Sequence, residues 1–293
     1  MELEHSTIET NGIKIHVAQA GPKSGVPVVL LHGFPEFWYG WRKQIPALVE
    51  AGCRVIVPDQ RGYNLSDKPK GVKSYDVFTL VDDIIGLTDA LGYEKVNLVG
   101  HDWGAVVAWT LAIKYPERLQ RLGIMNVPHP AVMKKFLQRD FEQFRRSWYV
   151  FFFQLPWLPE AGLKRNDWRG AVSALRDTSK LNSFTDDDIV KYKEAWSQPG
   201  AMTSMINWYR AVIRHMPKLP DDPRIKVPTL MMWGMKDFAL SHRMARPSMD
   251  YVDEGNLILF PEATHWVHLD AAEEVNHYLI DFIFDKASQI VVR

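Results

Sequence analysis

The sequence predicts an α/β fold: a mostly parallel central sheet flanked by helices, with an all-helical segment inserted late in the chain. Three observations carry that prediction. Over the first 130 residues short apolar runs alternate with longer stretches of helical periodicity, the pattern of parallel strands covered on both faces. From Ala131 to about Pro220 strand signals cease, and only helical periodicity rich in aromatic and charged residues remains. Strand signals then return at Thr229–Trp233 and Leu257–Phe260, so the sheet is completed after the insertion. The implied division is a core of residues 1–130 and 222–293 and a helical cap over 131–221.

Taken in order, Ile13–Val17 alternates, Val26–Leu31 is a solid apolar run, Arg54–Val57 is another, and Val96–Val99 and Leu122–Met125 follow. Between them a helix is expected from Asp76 to Leu91, where Phe78, Val81, Ile84, Ile85 and Thr88 recur at helical spacing before Gly92 stops it. A second helix runs from Trp103 to Tyr115. Within the insertion, Ser204–Met216 carries the apolar stripe Met205, Ile206, Tyr209, Val212, Ile213 and Met216, which sets Tyr209 on a buried face. A closing helix runs from about Ala271 to Asp285.

Composition narrows the function classes. With 46% apolar and 24% charged residues in 293, the chain is globular. Thirty-five basic and thirty-five acidic residues leave no net field for nucleic acid or an anionic membrane, so neither is expected as a partner. One cysteine, Cys53, cannot form an intrachain disulfide and suits a reducing compartment. The acidic start MELEHSTIET lacks the basic and apolar regions of a signal peptide, and no apolar run approaches the roughly 20 residues of a membrane helix. A cytoplasmic protein is expected. Eleven Trp, fourteen Phe and eleven Met suit a large apolar cavity, although a packed core uses the same residues.

The chemistry begins at Gly100-His101-Asp102-Trp103-Gly104, between the run Val96–Val99 and the helix from Trp103. This is a G-x-nucleophile-x-G turn, whose small flanking residues let a strained strand-to-helix bend present its central side chain. An aspartate there is already ionised at neutral pH and suits displacement at a saturated carbon, giving an alkyl ester that water must cleave. On the pentapeptide alone, an aspartate that merely caps the helix reads equally well. His32-Gly33-Phe34-Pro35 follows an earlier run and offers a loop N–H at Phe34, which with that of Trp103 would hold an oxyanion when the ester is hydrolysed. Asp237 and His265 each follow a late strand, in the order nucleophile, acid, histidine. His265 would take a proton from water while Asp237 fixes its tautomer; His268 competes for that role. A metal set of His265, His268 and Asp270 is too loosely spaced, and no metal or cofactor is expected. Tyr209 and Tyr149 in the insertion read singly as core tyrosines, but over an aspartate nucleophile their phenols suit the oxygen of an opening three-membered ether.

These residues resemble the epoxide hydrolases of the α/β-hydrolase fold over nearly the whole chain. The likeness rests on HGFPEFWYGWR (His32 to Arg42), DQRGYNLSDKP (Asp59 to Pro69), GHDWG, NWYR (Asn207 to Arg210) and the pair His265-Trp266. It implies Asp102 as nucleophile, His265 with Asp237 as the water-activating pair, and Tyr149 with Tyr209 as donors to the epoxide oxygen, with Tyr192 a competitor for Tyr149. It further implies Phe34 and Trp103 as backbone donors and pocket residues, and a cis bond before Pro35. Trp38 is a candidate wall of the pocket. Asn64, where many relatives have glycine, reads as a turn substitution. A small apolar epoxide and a catalytic water are the implied partners, with a monomer or homodimer as the assembly. The rival dehalogenase reading, sharing the Asp/His/Asp set, would need a side-chain halide donor that Phe34 does not offer. A fluoroacetate-type enzyme would need an arginine where Trp103 stands, and a non-catalytic receptor would have no use for the assembled set.

Overall fold

The computed structural model describes residues 2–215, 218 and 220–286. Its strands are β1 (Glu4–Thr10), β2 (Ile13–Ala20), β3 (Val26–Leu31), β4 (Cys53–Pro58), β5 (Val96–His101), β6 (Leu119–Met125), β7 (Thr229–Gly234) and β8 (Gly255–Phe260). They form one sheet in the order β1-β2-β4-β3-β5-β6-β7-β8, with antiparallel pairing at β1–β2 and β2–β4 and parallel pairing from β4 onward. The helices before the insertion are α1 (Gln44–Glu50), α2 (Val77–Ala90) and α3 (Trp103–Lys114). Asp76 accepts hydrogen bonds from the N–H groups of Phe78 and Thr79 and so fixes the start of α2, one residue inside the expected range.

The solid apolar run of β3 has the physical reason the sequence suggested. Val29 and Leu31 pack into one apolar cluster and Val28 and Leu30 into another, because successive strand side chains face opposite sides of the sheet and both sides are covered. β1 escaped sequence reading, since its EHSTIET pattern is polar and largely exposed at the sheet edge.

Between β6 and β7 lie α4 (Pro130–Arg139), α5 (Phe141–Arg146), α6 (Trp148–Phe152), α7 (Leu158–Arg176), α8 (Asp186–Trp196) and α9 (Ala201–Arg214). Among the described residues of this stretch there is no strand. Arg165–Trp168 leave helical dihedrals and break α7 in two. Tyr209 is buried on α9 as its stripe requires, but Ile213 of the same stripe is exposed, and Met216 lies outside the described residues. After β7 come α10 (Ala245–Met249), α11 (Val267–Asp270) and α12 (Ala272–Ile283), so the expected closing helix is preceded by a separate short turn that carries His268. No helix among the described residues is long and apolar enough to cross a membrane.

Candidate active site

β3 and β5 are parallel neighbours, and the chain leaves β3 toward β4 on one side and reaches β5 on the other. At such a switch point the loops beyond the carboxyl ends of the two strands diverge and open a crevice. His32–Phe34 and Asp102 are those loop residues. Asp102 adopts φ 48° and ψ −123°, a conformation that side-chain-bearing residues avoid. Its neighbours make the bend possible. A Cβ on Gly104 would lie 2.1 Å from the Leu31 carbonyl oxygen, and one on Gly100 would lie 2.5 Å from that of Gly104. Asp102 occupies the N-cap position of α3, yet its side chain makes no capping bond. The capping alternative therefore fails, and the carboxylate is turned elsewhere.

It is turned toward the Phe34 N–H, which donates to Asp102 Oδ1 at 2.7 Å, and toward His265, whose Nε2 lies 3.5 Å from Asp102 Oδ2. The other ring nitrogen of His265, Nδ1, is 2.8 Å from Asp237 Oδ2; since a carboxylate only accepts, Nδ1 carries the proton. Asp237 is itself pinned, accepting from the N–H groups of Ala239 and Leu240 at 2.8 and 2.9 Å and from Asn126 Nδ2 at 2.8 Å. Burial opposes a charge on His265, but Asp237 and then Asp102 outweigh it and raise its pKa to about 10. Burial likewise opposes the Asp102 anion, but the imidazole of His265, the charge of His101 and the Phe34 N–H outweigh it and hold its pKa below the ordinary value. The resting arrangement is an imidazolium between two carboxylates. Trp103 is the first residue of α3, so its N–H has no partner within the helix. The Phe34–Pro35 bond is cis.

The helices between β6 and β7 bring Tyr209 and Tyr149 to this group. The Tyr209 ring meets Trp103, Phe153, Phe34 and Tyr149 edge-on, at centroid distances of 4.9, 4.8, 5.3 and 5.9 Å. Burial first, and then the Asp102 charge, push both phenols up from their ordinary pKa, so both stay protonated at neutral pH. Tyr192 is committed elsewhere: its hydroxyl donates to Glu36 Oε1 at 2.9 Å. The Trp38 ring packs against His5, Phe37 and Tyr39, and its backbone N–H donates to Asp59 Oδ1. Asn64 has φ 38°, as a glycine-like turn position requires, and its amide also donates to Asp59 Oδ2.

Sequence reading left a supporting layer unassigned. His101 Nε2 donates to the His265 carbonyl oxygen at 2.8 Å, and its Nδ1 faces Glu36 Oε2 at 3.2 Å. His268 lies with its Nε2 3.5 Å from Glu36 Oε1, so the competitor for His265 sits behind the site rather than at Asp102. Glu36, His101 and His268 are the group whose geometry allows a metal ion among the described residues, and two of the three already serve each other. Asp270 belongs to neither set, accepting instead from Lys180, Ser183 and Thr264. Buried Gln143 on α5 donates to Ala239 O and accepts from Ser241 N–H, clasping the loop that follows Asp237. Asn126 had one legible signal, a turn residue directly after a strand; its φ of 54° and its bond to Asp237 explain it.

A model of the alpha/beta hydrolase fold family matches residues 26–272. The AB hydrolase superfamily protein YfhM of Bacillus subtilis (strain 168) is 48% identical over 277 residues, covering 94% of this chain and 96% of that protein. Epoxide hydrolase 4 of Homo sapiens is 36% identical over 282 residues, 94% of this chain and 77% of that one. Among solved structures, a Bacillus megaterium epoxide hydrolase in complex with an inhibitor superposes with a TM-score of 0.88 at 30% identity, covering 95% of this chain and all of the other.

Proposed function

The chain belongs to the α/β-hydrolase fold family and, within it, to the epoxide hydrolases, and from that premise we propose that it converts apolar epoxides to vicinal diols in two steps at Asp102. Asp102 Oδ2, the oxygen not held by Phe34, attacks a ring carbon. The carbon–oxygen bond of the ring breaks, and the oxygen takes a proton through Tyr149 and Tyr209. The product is an ester whose carbonyl oxygen, Oδ1, already lies on the Phe34 N–H.

Esterification removes the Asp102 charge, and with it part of what holds the proton on His265. His265 then releases that proton, which restores through water the one that Tyr149 and Tyr209 gave to the ring oxygen; left neutral and kept in the required tautomer by Asp237, it takes a proton from the attacking water. The hydroxide adds to the ester carbon while Phe34 and Trp103 hold the oxyanion. Collapse breaks the bond from the ester carbon to Oδ2, the proton of the added hydroxyl passes to Oδ2, and the diol leaves carrying Oδ2 while the oxygen of water stays in the Asp102 carboxylate. Residues 131–221 act as the cap over this site, and water is the second substrate. We place the enzyme in the cytoplasm.

The observation that carries this reading is an aspartate at a helix start that declines to cap the helix and instead faces an N–H donor and a histidine–aspartate pair. His265→Gln removes the base but not the nucleophile. Incubated with a simple aryl epoxide, it should gain the mass of one epoxide on the Asp102 peptide; recovery of unmodified protein with any reactive epoxide would overturn the scheme.

A further inference from the structure

The segment from Phe141 to Leu158 is amphipathic in an unusual sense, because much of its apolar surface faces outward. Gln143, Ser147 and Phe153 are buried against the protein, whereas Phe141, Phe144, Trp148, Phe151, Leu155 and Leu158 are exposed. Phe141 and Phe144 lie on α5, Trp148 and Phe151 on α6 and Leu158 at the start of α7. The rings of Phe144 and Phe151 meet at 5.5 Å and join the exposed apolar surfaces of α5 and α6. Trp157 is 72% exposed and Phe141 is 79% exposed. Contiguous aromatic exposure on this scale marks a surface that is covered in use.

Charge identifies the occupant. The zero net charge of the chain is an average that hides a segregation: residues 131–176 hold nine Lys and Arg against four Asp and Glu. All four acids are paired, Asp140 with Arg243, Glu142 with Arg146 and Arg243, Glu160 with Arg210 and Asp167 with Lys193. Lys134, Arg139, Arg145, Arg165 and Arg169 are exposed and form no ion pair among the described residues. A second copy docking across a two-fold axis would set this cationic patch against itself. An anionic, apolar-cored surface complements it. No described helix can span a bilayer, so the segment would lie on it.

We propose that the face built from Phe141–Leu158, with the unpaired cations of residues 131–176, docks on an anionic lipid bilayer. The proposal stands independently of the chemistry at Asp102. The test is co-sedimentation of the full chain with vesicles of phosphatidylcholine, with and without phosphatidylglycerol, at low and high salt. Two variants accompany it: a triple Phe144→Ser, Phe151→Ser, Trp157→Ser, and a quadruple Arg139→Gln, Arg145→Gln, Arg165→Gln, Arg169→Gln. Thermal unfolding checks that both remain folded. The wild type should partition at least about tenfold more strongly onto the anionic vesicles at low salt, high salt should weaken this, and each variant should lose it. Absence of vesicle binding, or equal partition onto both compositions, overturns the proposal. So does a concentration-dependent dimer in sedimentation velocity that the triple variant abolishes while no vesicle binding is seen.

Discussion

The resting imidazolium of His265 owes its stability to two carboxylates, and the proposed mechanism removes one of them at the moment a base is needed. Asp102→Asn reproduces that loss without substrate, since the amide, like the ester, is neutral. At the 3.5 Å between Asp102 Oδ2 and His265 Nε2, one unit charge at an effective permittivity of about 20 is worth about 5 kcal/mol, or about 3.5 pKa units. From a starting value of about 10, His265 should fall to about 6.5, where most of the imidazole is neutral at physiological pH. Nitrogen-15 NMR of labelled histidine, titrated across this range in the wild type and in Asp102→Asn, reads both values directly. A fall of less than about one unit would show that Asp237 alone sets the protonation of His265. The coupling between ester formation and base release would then be lost.

The same group makes stability depend on pH. Its folded-state pKa stands above the ordinary 6.5, so its contribution is complete below about pH 6.5 and is lost as pH rises through about 10. Between those limits the wild type should lose up to ~1.4 kcal/mol per pH unit from this group, and Asp102→Asn much less; the difference between their thermal unfolding curves at neutral and alkaline pH isolates it. Tyr209→Phe and Tyr149→Phe should each slow ester formation by ~10- to 1,000-fold in single-turnover mixing, while hydrolysis of preformed ester changes little. Equal rates in Tyr149→Phe and wild type would move that role to another group. In Gly33→Ala the new Cβ would fall 2.3 Å from Asp102 Cβ, displacing the carboxylate, and kcat/KM should drop by ~100-fold or more in a diol assay. Wild-type activity in that variant would contradict the close approach of the two loops.

The fold and the residues of the candidate site were legible in the sequence because local rules fix them. β3 had to be apolar on both faces to lie between two layers of helix, and the glycines around Asp102 had to lack a Cβ for the bend to close. The order Asp102, Asp237, His265 follows from each residue standing just past a strand end, which chain position alone reveals. What only the tertiary structure decided concerns partners far apart in the chain. Tyr192 and Tyr149 look alike in sequence, yet one hydroxyl is spent on Glu36 and the other ring faces Tyr209. Trp38 sits in a motif of the site and still packs on β1. Asp102 is at a capping position by sequence and not by hydrogen bonding. The clasp of Gln143 on the Asp237 loop spans 96 residues of chain, and the support His101 gives His265 spans 164. The physical reason is common to all of them. Periodicity and steric limits act within a few residues, whereas a hydrogen bond or a charge chooses its partner by distance in space, which exists only once the sheet has brought its loops together.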